Sequence, residues 1–211
     1  MTPENLIALF AAYLLGSIPT AVLIGKMFYG IDVREKGSGN AGATNTFRIL
    51  GPKAGIPVLL IDLIKGWIAV KLFFVLGKNF NSQESVINFK LALGIMAMVG
   101  HIFPVFAKFK GGKGIATLVG FMVGVHLPAT LFCIAIFLII LFLTRYVSLG
   151  SLIGAFCFPF SIIFLFHETV PSLLIFSVCI TIIVMITHRN NISRLVKGQE
   201  LKVYFFKKTN N

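Results

Sequence analysis

Acidic side chains are almost missing from this chain. Seven Asp and Glu stand against nineteen Lys and Arg, and none lies between Glu84 and Glu168. Charge of either sign is sparse, at 12% of residues, where a soluble domain carries roughly a quarter. With 57% hydrophobic residues and a mean hydropathy of +0.93, that scarcity excludes a soluble globular domain and marks an integral membrane protein. The three cysteines, Cys133, Cys157 and Cys179, sit singly inside apolar runs with no Cys-x-x-Cys, which excludes a disulfide framework and a cysteine metal site. No basic residue precedes the first apolar run, so that run lacks a signal-peptide n-region and is expected to remain as a membrane helix. The net charge of +12 lies in short loops beside apolar runs, where it sets orientation and meets anionic headgroups; nucleic acid is not expected as a partner.

What is present is a series of apolar runs separated by polar, glycine-rich loops. The runs place seven spans at about 6–24, 54–76, 87–106, 115–127, 129–144, 149–166 and 172–187, in one membrane domain covering 1–211. The fold expected is an all-α integral membrane bundle with short cytoplasmic glycine-rich loops. An outside N-terminus puts the loops after spans one, three and five, and the tail, on one side. That side then holds most of the Lys and Arg, including Lys207 and Lys208 of the tail, and the positive-inside rule makes it cytoplasmic. No internal repeat is evident.

Gly100 to Gly114 reads Gly-His-Ile-Phe-Pro-Val-Phe-Ala-Lys-Phe-Lys-Gly-Gly-Lys-Gly. Three lysines without a nearby acid form either a cytoplasmic flank under the positive-inside rule or the partner of an external anion, and the glycines and His101 favour the anion. Gly111, Gly112 and Gly114 let backbone N–H groups approach a phosphate closely, so the stretch reads as an oxyanion cradle around Lys113, beside His101. A Walker A loop is excluded, since it would need Gly at Ala107 and a hydroxyl at Gly114.

A second polar stretch, to about Lys53, is too rich in glycine for lipid contact and is expected as a loop or re-entrant segment. There Ser38, Gly39, Asn40, Thr44 and Asn45 offer short hydrogen-bonding groups, and Arg48 offers a fork that fits two phosphate oxygens. Within the second span, Asp62 and Lys65 stand three apart on one helical face. They form either an internal pair that orders the bundle or a substrate contact. The topology collects Ser38, Arg48, His101, Lys113, Ser148, His188 and Asn191 at one membrane surface. Such an arrangement suits a substrate with a phosphate head and another with an apolar tail. A transporter of anions or phosphate esters and a noncatalytic lipid-binding scaffold are the alternatives, and an assay for an acylated product separates them.

These motifs resemble the bacterial glycerol-3-phosphate acyltransferases that use acyl phosphate, the PlsY family. The matches are Gly-Ser-Gly-Asn-Ala-Gly-Ala-Thr-Asn from Gly37, the His101 to Gly114 stretch, and His188-Arg-x-Asn-Ile with Arg194-Leu and Gly198-x-Glu. Tyr13-Leu-Leu-Gly-Ser-Ile-Pro, Asp62-x-x-Lys-Gly and Arg145-Tyr-Val-Ser-Leu also fit, so the resemblance runs from Tyr13 to Glu200. It implies an acyltransferase of the bacterial cytoplasmic membrane. The enzyme would join acyl phosphate and glycerol 3-phosphate into 1-acylglycerol 3-phosphate and phosphate, the first acylation of phospholipid synthesis. It would use no cofactor or metal, and membrane lipids rather than an obligatory protein would surround it. By motif position, His188, Asn191 and Ser38 are the expected catalytic residues. Gly39, Asn40, Thr44, Asn45, Arg48, Lys65, His101, Gly111, Gly112, Lys113, Gly114 and Ser148 are expected to bind substrate. The His-x-x-x-x-Asp signature of other glycerolipid acyltransferases is excluded, because the residues five after the four histidines are Phe106, Leu131, Ser172 and Ser193.

Overall fold

A computed structural model of the chain describes residues 2–203, so Lys207 and Lys208 lie outside the described residues. The chain is helical throughout, without strands among the described residues. The helices are α1 (Pro3–Gly16), α2 (Thr20–Tyr29), α3 (Ala43–Leu50), α4 (Pro52–Leu76), α5 (Gln83–Ile102), α6 (Ile115–Val125), α7 (Leu127–Thr144), α8 (Val147–Phe160), α9 (Pro171–Thr187) and α10 (Arg189–Val196). Large apolar side chains such as Phe10, Phe142, Leu143 and Ile175 are exposed on the outer faces. Hydrogen-bonded helices with greasy exteriors are what hydrocarbon requires, and the chain is a multi-pass membrane protein.

Four helical stretches are long and apolar enough to cross, Pro3–Tyr29, Gln83–Ala107, Leu127–Thr144 and Val147–Leu165. A fifth is Pro171–Thr187 if it is counted together with Arg189–Val196, to which it is bent by 64°. Helix α4 has the length but carries Asp62, Lys65 and Lys71, and α6 is apolar but short.

The first apolar run is broken at Ser17, Ile18 and Pro19, because proline supplies no N–H to continue the ladder. An unpaired carbonyl at membrane depth costs several kcal/mol. The Ile18 carbonyl accepts from the Thr20 N–H at 3.0 Å and from Lys65 Nζ at 3.1 Å, and Lys65 also pairs with Asp62 at 2.8 Å. Asp62 accepts from Thr20 Oγ1 at 3.0 Å, so the Asp62–Lys65 pair stitches the break in α1–α2 to α4. The polar stretch after α2, expected as a loop or re-entrant segment, contains the helix α3. Its Asn45 and Thr46 face inward, and Phe47 packs where a side chain at Gly55 of α4 would sit.

The helices pack as two groups. In the first, α4 packs closely on α6, and α1 on α4 and α5; in the second, α8 packs on α7 and α9. Gly66 and Gly120 let α4 and α6 touch backbone to backbone, since a Cβ on either would fall about 2 Å from a carbonyl oxygen. Joining the groups is an apolar core that includes the ring cluster of Phe121, Phe158 and Phe176. Above that core the two groups part, leaving a cavity between them.

Candidate active site

The cavity, about 380 Å³, is lined by α3, α4, α6, α7, α8 and α9, by the end of α5, and by residues of the α2–α3 and α5–α6 loops and the C-terminal segment. Helices α5 and α9 end, and α3, α6 and α8 begin, at its polar mouth. Ser38, Asn40, Thr44, Asn45, Arg48, His101, Lys113, Gly114, Ser148, His188 and Asn191 all line it. Gly39, Lys65, Gly111 and Gly112 do not belong to its wall.

Three of these four exceptions, Lys65, Gly111 and Gly112, have a physical reason. Lys65 is buried and spent on Asp62 and the Ile18 carbonyl. Gly111 and Gly112 donate their N–H groups to the carbonyls of Ile102 and His101 at the end of α5, which removes those donors from the expected oxyanion cradle. Gly112 must still be glycine, because a Cβ there would lie 2.3 Å from His101 Nε2. Donors that face the cavity lie one step further on. Lys113, Gly114, Ile115 and Ala116 line the cavity at the start of α6, whose first-turn N–H groups have no side-chain cap. Gly114, at φ +82°, makes the turn that starts this helix at the cavity wall.

The Ser38 loop is fastened by Asn45. Its Oδ1 accepts from the Ser38 N–H at 2.8 Å, and its Nδ2 donates to the carbonyls of Val33 and Lys36 at 2.8 and 3.1 Å. Asn45 therefore shapes the loop with its polar atoms, while Ser38, Asn40 and Thr44 face the space it creates.

The residue at the hub is one that the reading of the sequence left out of the site. Glu200 has a fully buried carboxylate. It accepts from Ser148 Oγ at 3.0 Å, Asn191 Nδ2 at 2.7 Å and Arg194 Nε at 2.7 Å, and lies 3.9 Å from the Arg48 guanidinium. Burial raises its pKa, but the hydrogen bonds from Arg194, Asn191 and Ser148 outweigh that effect and hold it below the ordinary carboxylate value. Asn191 Oδ1 in turn accepts from Lys113 Nζ, so one carboxylate orients Ser148, Asn191 and, through it, Lys113. The Gly198-x-Glu pattern carried the only sequence signal for this.

Two groups at the mouth are tuned by burial. Lys113 is pushed down to about 8, by desolvation first, with Glu200 opposing and Arg194 and Arg48 adding to the effect. His188 is pushed down to about 4, by desolvation and then by Lys113, so its ring is neutral near pH 7. Its Nδ1 lies 2.9 Å from the Val184 carbonyl, which can only accept; Nδ1 therefore carries the proton and Nε2 presents a lone pair. Arg48 donates to the Leu201 carbonyl at 2.6 Å, while its Nε is buried without a partner. A cationic fork with a spare donor, an ammonium, a helix N-terminus and an unprotonated imidazole nitrogen thus share one cavity with an apolar interior.

Three kinds of comparison point to one family. The family model described as "Glycerol-3-phosphate acyltransferase" matches residues 6–198. A glycerol-3-phosphate acyltransferase of Chlorobaculum parvum is 43% identical, covering 92% of this chain and 94% of the relative. Glycerol-3-phosphate acyltransferase 2 of Lactobacillus acidophilus is 46% identical over 92% and 88%. Among solved structures, the glycerol 3-phosphate form of PlsY (YgiH), an integral membrane glycerol 3-phosphate acyltransferase, superposes with a TM-score of 0.82. It is 34% identical and covers 95% of this chain and 96% of that one. The lysophosphatidic acid form of PlsY superposes with a TM-score of 0.77 at 35% identity, with the same coverage.

Proposed function

The chain belongs to the glycerol-3-phosphate acyltransferase family, and from that premise we propose that it moves an acyl group from acyl phosphate to the 1-hydroxyl of glycerol 3-phosphate. The observation that carries the reading is one cavity that joins a mouth lined by Arg48, Lys113 and the start of α6 to an apolar interior. The mouth has cationic groups enough for two phosphates, and the interior has room for an alkyl chain. The products are 1-acylglycerol 3-phosphate and inorganic phosphate.

An acyl phosphate is already activated, so the protein's task is orientation and charge stabilisation rather than covalent catalysis. Arg48, Ser38, Lys113 and the α6 N-terminus hold the phosphates. His188 Nε2 accepts the hydrogen bond of the attacking hydroxyl. That oxygen bonds to the acyl carbon as the bond from carbon to the phosphate oxygen breaks. The departing phosphate, a stronger base than an imidazole held at about 4, is where the proton ends. Ser148 and Asn191, both anchored on Glu200, flank this centre.

The same reading fixes the surroundings. Counting the bent pair α9 and α10 as one span beside the four stretches that pass on length and composition, and adding α4 and α6, makes seven spans in a single membrane domain. Asp62 and Lys65 of α4 are buried in the bundle interior, as membrane burial demands, while Lys53 and Lys71 toward its two ends are exposed. With the positive-inside rule, the N-terminus is outside and the cavity mouth opens to the cytoplasm of a bacterial inner membrane, with membrane lipids around it.

The test offers palmitoyl phosphate, palmitoyl coenzyme A and palmitoyl carrier protein side by side to purified protein with glycerol 3-phosphate. Lysophosphatidate from the acyl phosphate alone is expected. Faster transfer from either thioester would reject acyl phosphate as the donor.

A further inference from the structure

Beyond the polar mouth the cavity continues as an apolar arm between the two helix groups. Helix α8 lines it at Ser148, Ser151, Ala155 and Phe158, a stripe at helical spacing that runs about 15 Å from the mouth inward. Phe158 is the last cavity residue on α8. Just past it, Pro159 and the π-turn Ser161–Leu165 end the regular helix, with the Phe166 N–H reaching back to the Ser161 carbonyl. Met122 is the deepest contributor from α6.

Phe158 is 6% exposed. Its ring meets Phe176 edge-on, with centroids 6.4 Å apart at 81°, and Phe176 is braced by Phe121 at 5.6 Å and 63°. A wall backed by two further rings in a close-packed core cannot recede to admit extra atoms without losing contacts throughout the cluster.

We propose that Phe158, braced by Phe176, is the stop that sets the longest acyl chain the enzyme accepts. This inference rests on the reading that the apolar arm holds the acyl chain. Because donor and product chains also dissolve in lipid, seating a chain in the arm gains little by itself, and discrimination comes from misfit. Pressing additional methylenes against a packed wall costs about fivefold to 150-fold, the usual penalty for overfilling a core.

The experiment measures kcat/KM for saturated acyl phosphates from decanoyl to eicosanoyl, in one detergent, for the wild type, Phe158→Leu and Phe158→Ala. The binding of 1-acylglycerol 3-phosphates of the same lengths, followed by thermal stabilisation, gives a readout that needs no donor. The wild type should show a length beyond which both measures fall at least fivefold. Both variants should move that limit to longer chains, changing the ratio of long to short by at least fivefold. If Phe158→Ala does not fold, the milder Phe158→Leu decides alone. An active Phe158→Leu protein with the wild-type limit, or a wild type without any limit, overturns the proposal. If no acyl phosphate yields product, the donor reading fails, and the lysophosphatidate series still decides the stop.

Discussion

Lys113 gives the sharpest handle on the proposed phosphate site. With burial holding its pKa at about 8, the ammonium is charged at pH 7 and loses its proton within reach of a routine titration. Glycerol 3-phosphate is a dianion over that range, since phosphomonoesters lose their second proton near pH 6. His188, at about 4, stays neutral and adds no inflection to the empty protein. At about 4 Å and an effective dielectric near 20, unit charges interact by about 4 kcal/mol, and hydrogen bonds to charged groups realise about 1.5–3 kcal/mol of this. The dissociation constant should therefore be level below pH 8, rise about tenfold per unit above it, and flatten after a total weakening of about 10- to 150-fold. Binding must raise the lysine's pKa, so near pH 8 about half a proton is taken up per ligand bound. Calorimetry in buffers of different ionisation enthalpy reads both quantities. The sign for the empty protein follows from the same shift. Between pH 8 and the unfolded lysine value near 10.5 the unfolded chain binds more protons, so this group's contribution to stability rises with pH. A dissociation constant unchanged from pH 6.5 to 9.5, with no proton uptake, would refute the placement of Lys113 against a phosphate.

Other consequences are testable alongside. His188→Ala should lower kcat by about 10²- to 10⁴-fold with a smaller change in KM; wild-type turnover would remove the imidazole from the reacting centre. For the wild type, kcat should hold from pH 8 to about 5 and fall below that as Nε2 gains a proton, with the midpoint above 4 once bound phosphates favour the cation. Glu200→Gln keeps the shape of the hub but removes its charge, and should cost about 10- to 100-fold in kcat/KM. It should also move the Lys113 inflection below pH 8, because Glu200 supports that ammonium; an unmoved inflection would show that the two are not coupled. Single cysteines at Ser82 and Thr169 should react with an impermeant thiol reagent from outside intact cells, and one at Ser38 only after permeabilisation. Labelling of Ser38 from outside would invert the topology.

Much of the site was legible because its residues cluster in loops where the membrane leaves little other reason for them. Lysines without acids, beside glycines, pointed to Lys113 and Gly114, and both line the cavity. What remained hidden depended on distance along the chain. Glu200 matters because the segment after α10 returns to Ser148, 52 residues earlier, and no local pattern encodes that return. Lys65 could pair with Asp62 or meet substrate on spacing alone, and the structure shows the pair, with the Ile18 carbonyl at the break before Pro19 as its second partner. The Gly111 and Gly112 N–H groups closed α5 instead of a phosphate, a choice set by how the loop folds back on Ile102 and His101. Helix α3 escaped notice because Asn, Thr and Gly signal turns, while the contact of Phe47 with α4 and the inward Asn45 favour a helix there.

The most direct measurement is the stoichiometry of a single turnover, with purified protein in excess over palmitoyl phosphate and glycerol 3-phosphate saturating. Direct transfer in one cavity predicts lysophosphatidate and inorganic phosphate appearing together at the same rate, one for one, with neither formed when glycerol 3-phosphate is withheld. Phosphate released in a burst ahead of lysophosphatidate, or acyl phosphate consumed without the acceptor, would contradict it.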